Sequence, residues 1–189
     1  MRHLLSSSLM RIARARDGAT AVEFAIIATP FLMLLFGTIE LGMVFMVSST
    51  LQNATDNASR KIRTGEFQTS GAATKADFKT LVCANMSWLT TNCSSKLTVD
   101  VQTFSTFTGL SGTGQRDPTT FNPAATCFTT GAPGDIVLVR TYYAWDIFTP
   151  LLSDSLVNMG HGSEKRLVNA AASFRNEPYS TQAPVGTQC

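Results

Sequence analysis

From Phe24 to Val47 the chain contains no Lys, Arg, Asp, Asn or Gln, and Glu40 is the only charged residue in the run. About 20 apolar residues are enough for a helix to cross the hydrocarbon core of a bilayer. Lipid offers the backbone no hydrogen-bond partners, so a helix is the only form a single such segment can take there. The spacing predicts a transmembrane helix over about 24–47. The chain has 189 residues, which leaves room for one further domain of ordinary size.

Charge gives this segment a direction. Arg2, Arg11, Arg14 and Arg16 precede it, with only Asp17 against them. An excess of cations beside a membrane helix marks its cytoplasmic end, which predicts a cytoplasmic N-terminus and an outer C-terminal part. A rival cluster, Arg60, Lys61 and Arg63, follows at the edge of the range over which that rule counts. The whole chain has a formal net charge of +2, too small to point to nucleic acid. An ordinary secretory signal fits poorly, because the apolar run is too long, contains Glu40 and lacks a clear small-residue cleavage site after it.

The helical pattern continues past the membrane run. Val44, Val47, Leu51, Ala54, Ala58 and Ile62 form one apolar stripe, with Gln52, Asn53, Asp56 and Arg60 on the other side. Cations in the last turn and Gly65 just after it form a stop signal. One helix is therefore expected over 19–64, bent where Pro30 removes the donor for the carbonyl of Ile26. Beyond it, 65–74 reads as a linker and 76–89 as a second helix. The alternating runs 96–107, 135–145 and 164–174 read as strands. Between the first two strands, 108–133 is rich in Gly, Thr, Pro and Asn and reads as a flexible loop, while 178–189 shows no periodicity. A small sheet must bury its apolar face on something, and the stripe on 47–62 is the available partner. The expected fold is α+β: a long N-terminal transmembrane and amphipathic helix packed on a small antiparallel sheet, with one or two short helices.

Cys83, Cys93, Cys127 and Cys189 all follow the membrane segment, and their number is even. No Cys-x-x-Cys and no neighbouring His suggests zinc. Two disulfides in an oxidising compartment are expected. Of the three pairings available, Cys83 with Cys93 is favoured by its short loop, which leaves Cys127 with Cys189. No Ser/His/Asp arrangement, phosphate loop or metal cluster can be built, so neither catalysis nor a cofactor is expected.

The junction before the membrane run carries a resemblance. Gly18 is followed by small residues, then by Glu23 and Phe24. This resembles a type IV prepilin processing site of the Flp (type IVb) kind. The stretch from Arg16 to Gly42 resembles the TadE/TadG-like family of tight-adherence (Tad) pilus proteins. Gln52-Asn53-Ala54, Ala58-Ser59-Arg60, Gly134-Asp135-Ile136-Val137, Leu151-Leu152 and the run from Phe174 to Pro178 extend it. The resemblance implies a pilin-like fold. It also implies removal of the basic leader 1–18 by a prepilin peptidase that cuts between Gly18 and Ala19. The new Ala19 amine would be protonated at neutral pH, and Glu23 would meet such an amine in the same or a neighbouring subunit.

Processing would thus involve Gly18, Ala19, Glu23 and Phe24, and assembly would involve Glu23 and Glu40. A local alternative for Glu23 is a capping box with Thr20, and Glu40 could simply be solvated near the outer headgroups. The expected partners are the peptidase, other Tad pilins and pseudopilins, the inner-membrane assembly platform and the bilayer. The resemblance implies a minor pseudopilin of the inner membrane, with residues 65–189 outside the cytoplasm and the protein in or below the fibre. The competing reading is an uncleaved single-pass protein whose outer domain binds a ligand or the cell wall.

Overall fold

The computed structural model describes residues 18–70, 73–110, 112–149, 153–160, 162–179 and 186–187. The chain divides into two compact units, Met1–Glu40 and Leu41–Cys189. Helix α1, Ala19–Arg63, contributes to both.

The described part of the first unit is Gly18 and the opening of α1. Its large apolar side chains face outwards: Phe24, Ile27, Phe31 and Leu34 are all more than half exposed. α1 runs through Pro30, and the Thr29 hydroxyl beside it donates to the Ala25 carbonyl at 2.7 Å. Thr38 donates likewise to Leu35. Hydroxyls satisfied within their own helix need no water, which suits an apolar surrounding. Among the described residues α1 is the one helix long and apolar enough to cross a membrane, by length and composition.

The second unit is built on a five-stranded sheet in the order β4-β3-β1-β2-β5. Its strands are β1 Leu97–Phe104, β2 Phe128–Thr129, β3 Ile136–Asp146, β4 Lys165–Arg175 and β5 Gly186–Thr187. The three long strands pair antiparallel, as the alternating runs predict. The short β2 joins β1 in parallel and β5 closes on β2 antiparallel. These two-residue strands are too short to leave a period in the sequence, and β5 lies in the segment expected to be shapeless.

One face of the sheet takes the stripe of α1. Val47, Leu51, Ala54, Ala58 and Ile62 are fully buried in one core with Leu97, Val99 and Val101 of β1, Val137 and Val139 of β3, and Val168 and Ala170 of β4. The core contains one polar seam, Thr55 Oγ1 at 2.6 Å from Thr141 Oγ1. Thr55 donates to the Leu51 carbonyl, so Thr141 is the donor between the two hydroxyls.

Short helices close the ends of this core. α2, Glu66–Thr69, lies inside the expected linker and buries Phe67. Phe67 meets Phe78 and Phe128 edge-on, at 5.5 and 6.2 Å between centroids. Gly65, between α1 and α2, has φ +78, and a Cβ there would lie 2.6 Å from the Tyr179 ring. Both facts require glycine. α3 covers Lys75–Ala84, started by a reciprocal capping box between Thr74 and Asp77. It is shorter than the predicted 76–89, because the chain turns at Asn85 and at Ser87, where φ is +50. Leu89 lies instead in a separate 3-10 turn, Ser87–Leu89. α4 is Cys93–Lys96, α5 Phe107–Leu110 and α6 Ser153–Leu156.

The other face of the sheet is also covered. Residues from Thr113 to Cys127 lie across it: Arg140 donates to the Thr113 carbonyl, Gln115 to Asn169 Oδ1 at 2.8 Å, and the Phe121 ring meets Tyr142 at a tilt, with centroids 4.8 Å apart. Tyr142 and Ile136 are 1% exposed on a face that contains no helix of the main core. The sheet is therefore the middle of three layers.

Candidate processing junction and assembly surface

Gly18 is exposed, with open space where a side chain would stand, and Ala19 is the first residue of α1. Gly18 belongs to a 3-10 turn that leads into α1, and the bond between Gly18 and Ala19 lies where the two meet. Glu23 and Phe24 follow within the first two turns and are exposed. Thr20 is inside the helix, not at its cap, so a Thr20/Glu23 capping box is not what begins α1. The leader 1–17, including its four arginines, lies outside the described residues.

Glu40 differs from Glu23. It is 5% exposed, where the sequence left open a solvated position. Glu40, Val44, Val47 and Leu51 follow one another at helical spacing along α1. A carboxylate in such a position needs partners, and Glu40 makes an interaction of this kind.

The C-terminal end of α1 gathers residues that are distant in sequence. The Asn176 amide donates to the carbonyls of Thr130 and Ala132, at 2.9 and 3.0 Å. Its backbone N–H donates to the Asp135 carbonyl at 2.8 Å, and its carbonyl accepts from Gly134 at 3.2 Å. The Asp135 carboxylate closes its own turn by accepting from the Ala132 N–H at 2.7 Å. Gln68 donates to the Ile62 carbonyl and to Tyr179. Gly134-Asp135 and Asn176-Glu177, two of the motifs that carry the family resemblance, thus form one joint at the end of the helix.

Cys83 and Cys93 form a disulfide with Cα atoms 5.7 Å apart, tying the end of α3 to α4. Cys127 is also disulfide-bonded. Cys189, its expected partner, lies outside the described residues, as do Leu151 and Leu152.

Asp100 was not foreseen from the sequence. It is 1% exposed and anchors the covering loop. Arg116 Nε stands 3.0 Å from Oδ2, the Cys127 N–H donates to Oδ1 at 2.9 Å, and Gln102 donates at 3.2 Å. Nearby, Lys75 donates to the Thr126 carbonyl and hydroxyl. Burial lowers the pKa of that ammonium, partly offset by the charge of Asp100. These groups hold a loop in place, and their donors and acceptors are turned towards one another.

Residues 18–60 match the model of the family described as TadE-like protein. No curated protein and no solved structure matches the chain. The matched stretch runs from the glycine of the junction to the first cation of the last turn of α1, so it covers the part of the chain on which the resemblance is most specific.

Proposed function

We propose that this chain is a pilin-like structural component, a minor pseudopilin, needed to assemble a Tad/Flp adhesion pilus, and that a prepilin peptidase trims it between Gly18 and Ala19. One observation carries the reading: the TadE-like match starts at Gly18 and α1 starts at Ala19. The family stretch, the helix and the expected cut share one boundary. The bare apolar surface of α1 before Leu41 supports insertion in the inner membrane. The cations before it favour a cytoplasmic N-terminus and an outer second unit. The protein would be a substrate of the peptidase and a partner of other pilins and of the assembly platform.

Cleavage after Gly18 removes four arginines and one aspartate from a chain with 15 basic and 13 acidic residues. The mature form then holds 15 − 4 = 11 basic and 13 − 1 = 12 acidic residues, so side-chain charge moves from +2 to −1. Terminal sequencing of protein extracted from piliated cells should begin at Ala19. Retention of Met1 in those cells would overturn the processing. Normal piliation after deletion of the gene would overturn the role in assembly.

A further inference from the structure

Both tryptophans of the chain belong to one aromatic group. The rings of Trp88 and Trp145 meet edge-on with centroids 6.0 Å apart, and Phe148 stands against Trp145 at 5.7 Å. Trp145 is nearly buried, yet Trp88 is 43% and Phe148 68% exposed. Among the described residues after Val47, Phe107 is the only other large apolar side chain so exposed.

The strand register locates the group. Trp145 pairs with Arg166, and Asp146 with Lys165, at the start of β4. Arg166 and Leu167 line a cleft together with Leu41, Val44 and Phe45 of α1. The aromatic group therefore lies at the end of the second unit where that unit begins, and the joint of Arg63 with Glu177 marks the opposite end. Leu41, Phe45 and Met46 are themselves exposed, so an apolar helix surface and the aromatic rings share that end. Exposed Lys165 adds a cation, while Lys96 is held by Asp146 at 2.6 Å.

We propose that this end of the unit rests on the headgroup layer of a bilayer, with Trp88 and Phe148 inserted at the interface. The proposal rests on the reading of α1 as a membrane helix. Trp concentrates at membrane–water interfaces because its ring is apolar while its N–H still finds a polar partner there. Packing within the unit accounts for Trp145, but it leaves most of Phe148 and a large part of Trp88 exposed. A lipid surface would cover them at the level where Leu41, Phe45 and Met46 are bare, and its phosphates would meet Lys165. The unit would then have a fixed tilt on the membrane, given by contacts beyond those of α1, and would have to release this footing to enter a fibre.

Because no other tryptophan exists, fluorescence excited at the red edge of tryptophan absorption, where the three tyrosines do not absorb, reads this site alone. The full chain would be reconstituted in vesicles of phosphatidylcholine and phosphatidylglycerol, and insertion checked by alkali-resistant flotation. Lipids brominated near the headgroup end of the acyl chains should cut emission about two-fold, with bromine at the chain ends much weaker. In Trp88→Ser/Phe148→Ser, the remaining Trp145 emission should lose most of this quenching while the chain still floats. A chain that floats but whose emission ignores brominated lipid overturns the proposal and leaves the membrane helix standing. In that case free quenching by aqueous acrylamide would mean an open surface, and none would mean a protein cover. A chain that does not float overturns the membrane reading and this proposal together.

Discussion

The backbone N–H of Glu177 donates to the Arg63 carbonyl at 2.9 Å, and the same two residues face each other as an ion pair at 3.3 Å. The first contact satisfies one of the carbonyls that a helix end leaves open. The second joins side chains that are about half exposed and is worth little. The energy of the joint lies instead in Asn176, 2% exposed with two carbonyls on its amide. Asn176→Ala strands those buried acceptors and should cost about 1–3 kcal/mol in denaturant unfolding of the second unit. Glu177→Ala, which keeps the backbone bond, should stay within about 0.5 kcal/mol. Equal losses for the two would contradict this division.

Arg116 and Asp100 should behave as a coupled pair. Arg116→Ala removes the guanidinium 3.0 Å from the buried Asp100 carboxylate and should cost about 1–3 kcal/mol. Asp100→Asn in that background removes the stranded charge while keeping an acceptor for the Cys127 N–H, so it should recover part of the loss. The double variant should therefore be more stable than Arg116→Ala alone. Additive losses in this cycle would show that the two groups do not depend on each other.

These two sites were not equally legible in the sequence. The stripe from Val47 to Ile62 could be read because a helix against a sheet repeats its apolar contacts at a fixed period. Cys83 and Cys93 could be read because ten residues make a cheap loop. Asp100 could not. Alternation in β1 says that Leu97, Val99 and Val101 share the core face, but nothing about whether a loop covers the other. The polar residue that looks solvent-facing is the one the loop closes on. Glu40 was left open for a related reason: hydropathy marks it only as an exception in an apolar run, and does not say that its side chain is 5% exposed. α2 escaped because four residues carry no period, and only the burial of Phe67 reveals it.

The tyrosines should make the second unit sensitive to alkali. The chain has three, Tyr142, Tyr143 and Tyr179. Burial raises the pKa of each above the ordinary 10.0, and for Tyr179 the charge of Asp135 adds to the effect. Below that ordinary value neither folded nor unfolded chain has lost these protons, and stability is unaffected. Above it the unfolded chain ionises first, so folding weakens as pH rises towards the raised folded values. Phenolate absorbance of the native protein should therefore appear late and together with loss of structure. A tyrosine that titrates freely while the fold persists would contradict the burial.

Glu23 should matter for assembly and not for folding of the second unit. It is exposed on α1, 41 − 23 = 18 residues before Leu41 and the unit that Leu41 begins. Glu23→Ala should leave that unit and its Cys83–Cys93 bond unchanged. Membrane insertion should be kept, since Glu23 stands at the start of the apolar run and not at its centre, where a charge is costly. What the substitution removes is the carboxylate that would meet the Ala19 ammonium after cleavage, in the same or a neighbouring subunit. An unpaired ammonium in lipid is costly, so subunit association should fail while maturation continues. Glu23→Gln separates this from a local helix-start role. A glutamine can take the glutamate's place in a capping box but cannot neutralise an ammonium. Because Thr20 already lies within α1, glutamine should not rescue. The measurement is surface piliation of Glu23→Ala and Glu23→Gln strains, with maturation followed by gel mobility. Both variants should mature and both should lack pili, and full piliation with glutamine would remove the ion pair from the account.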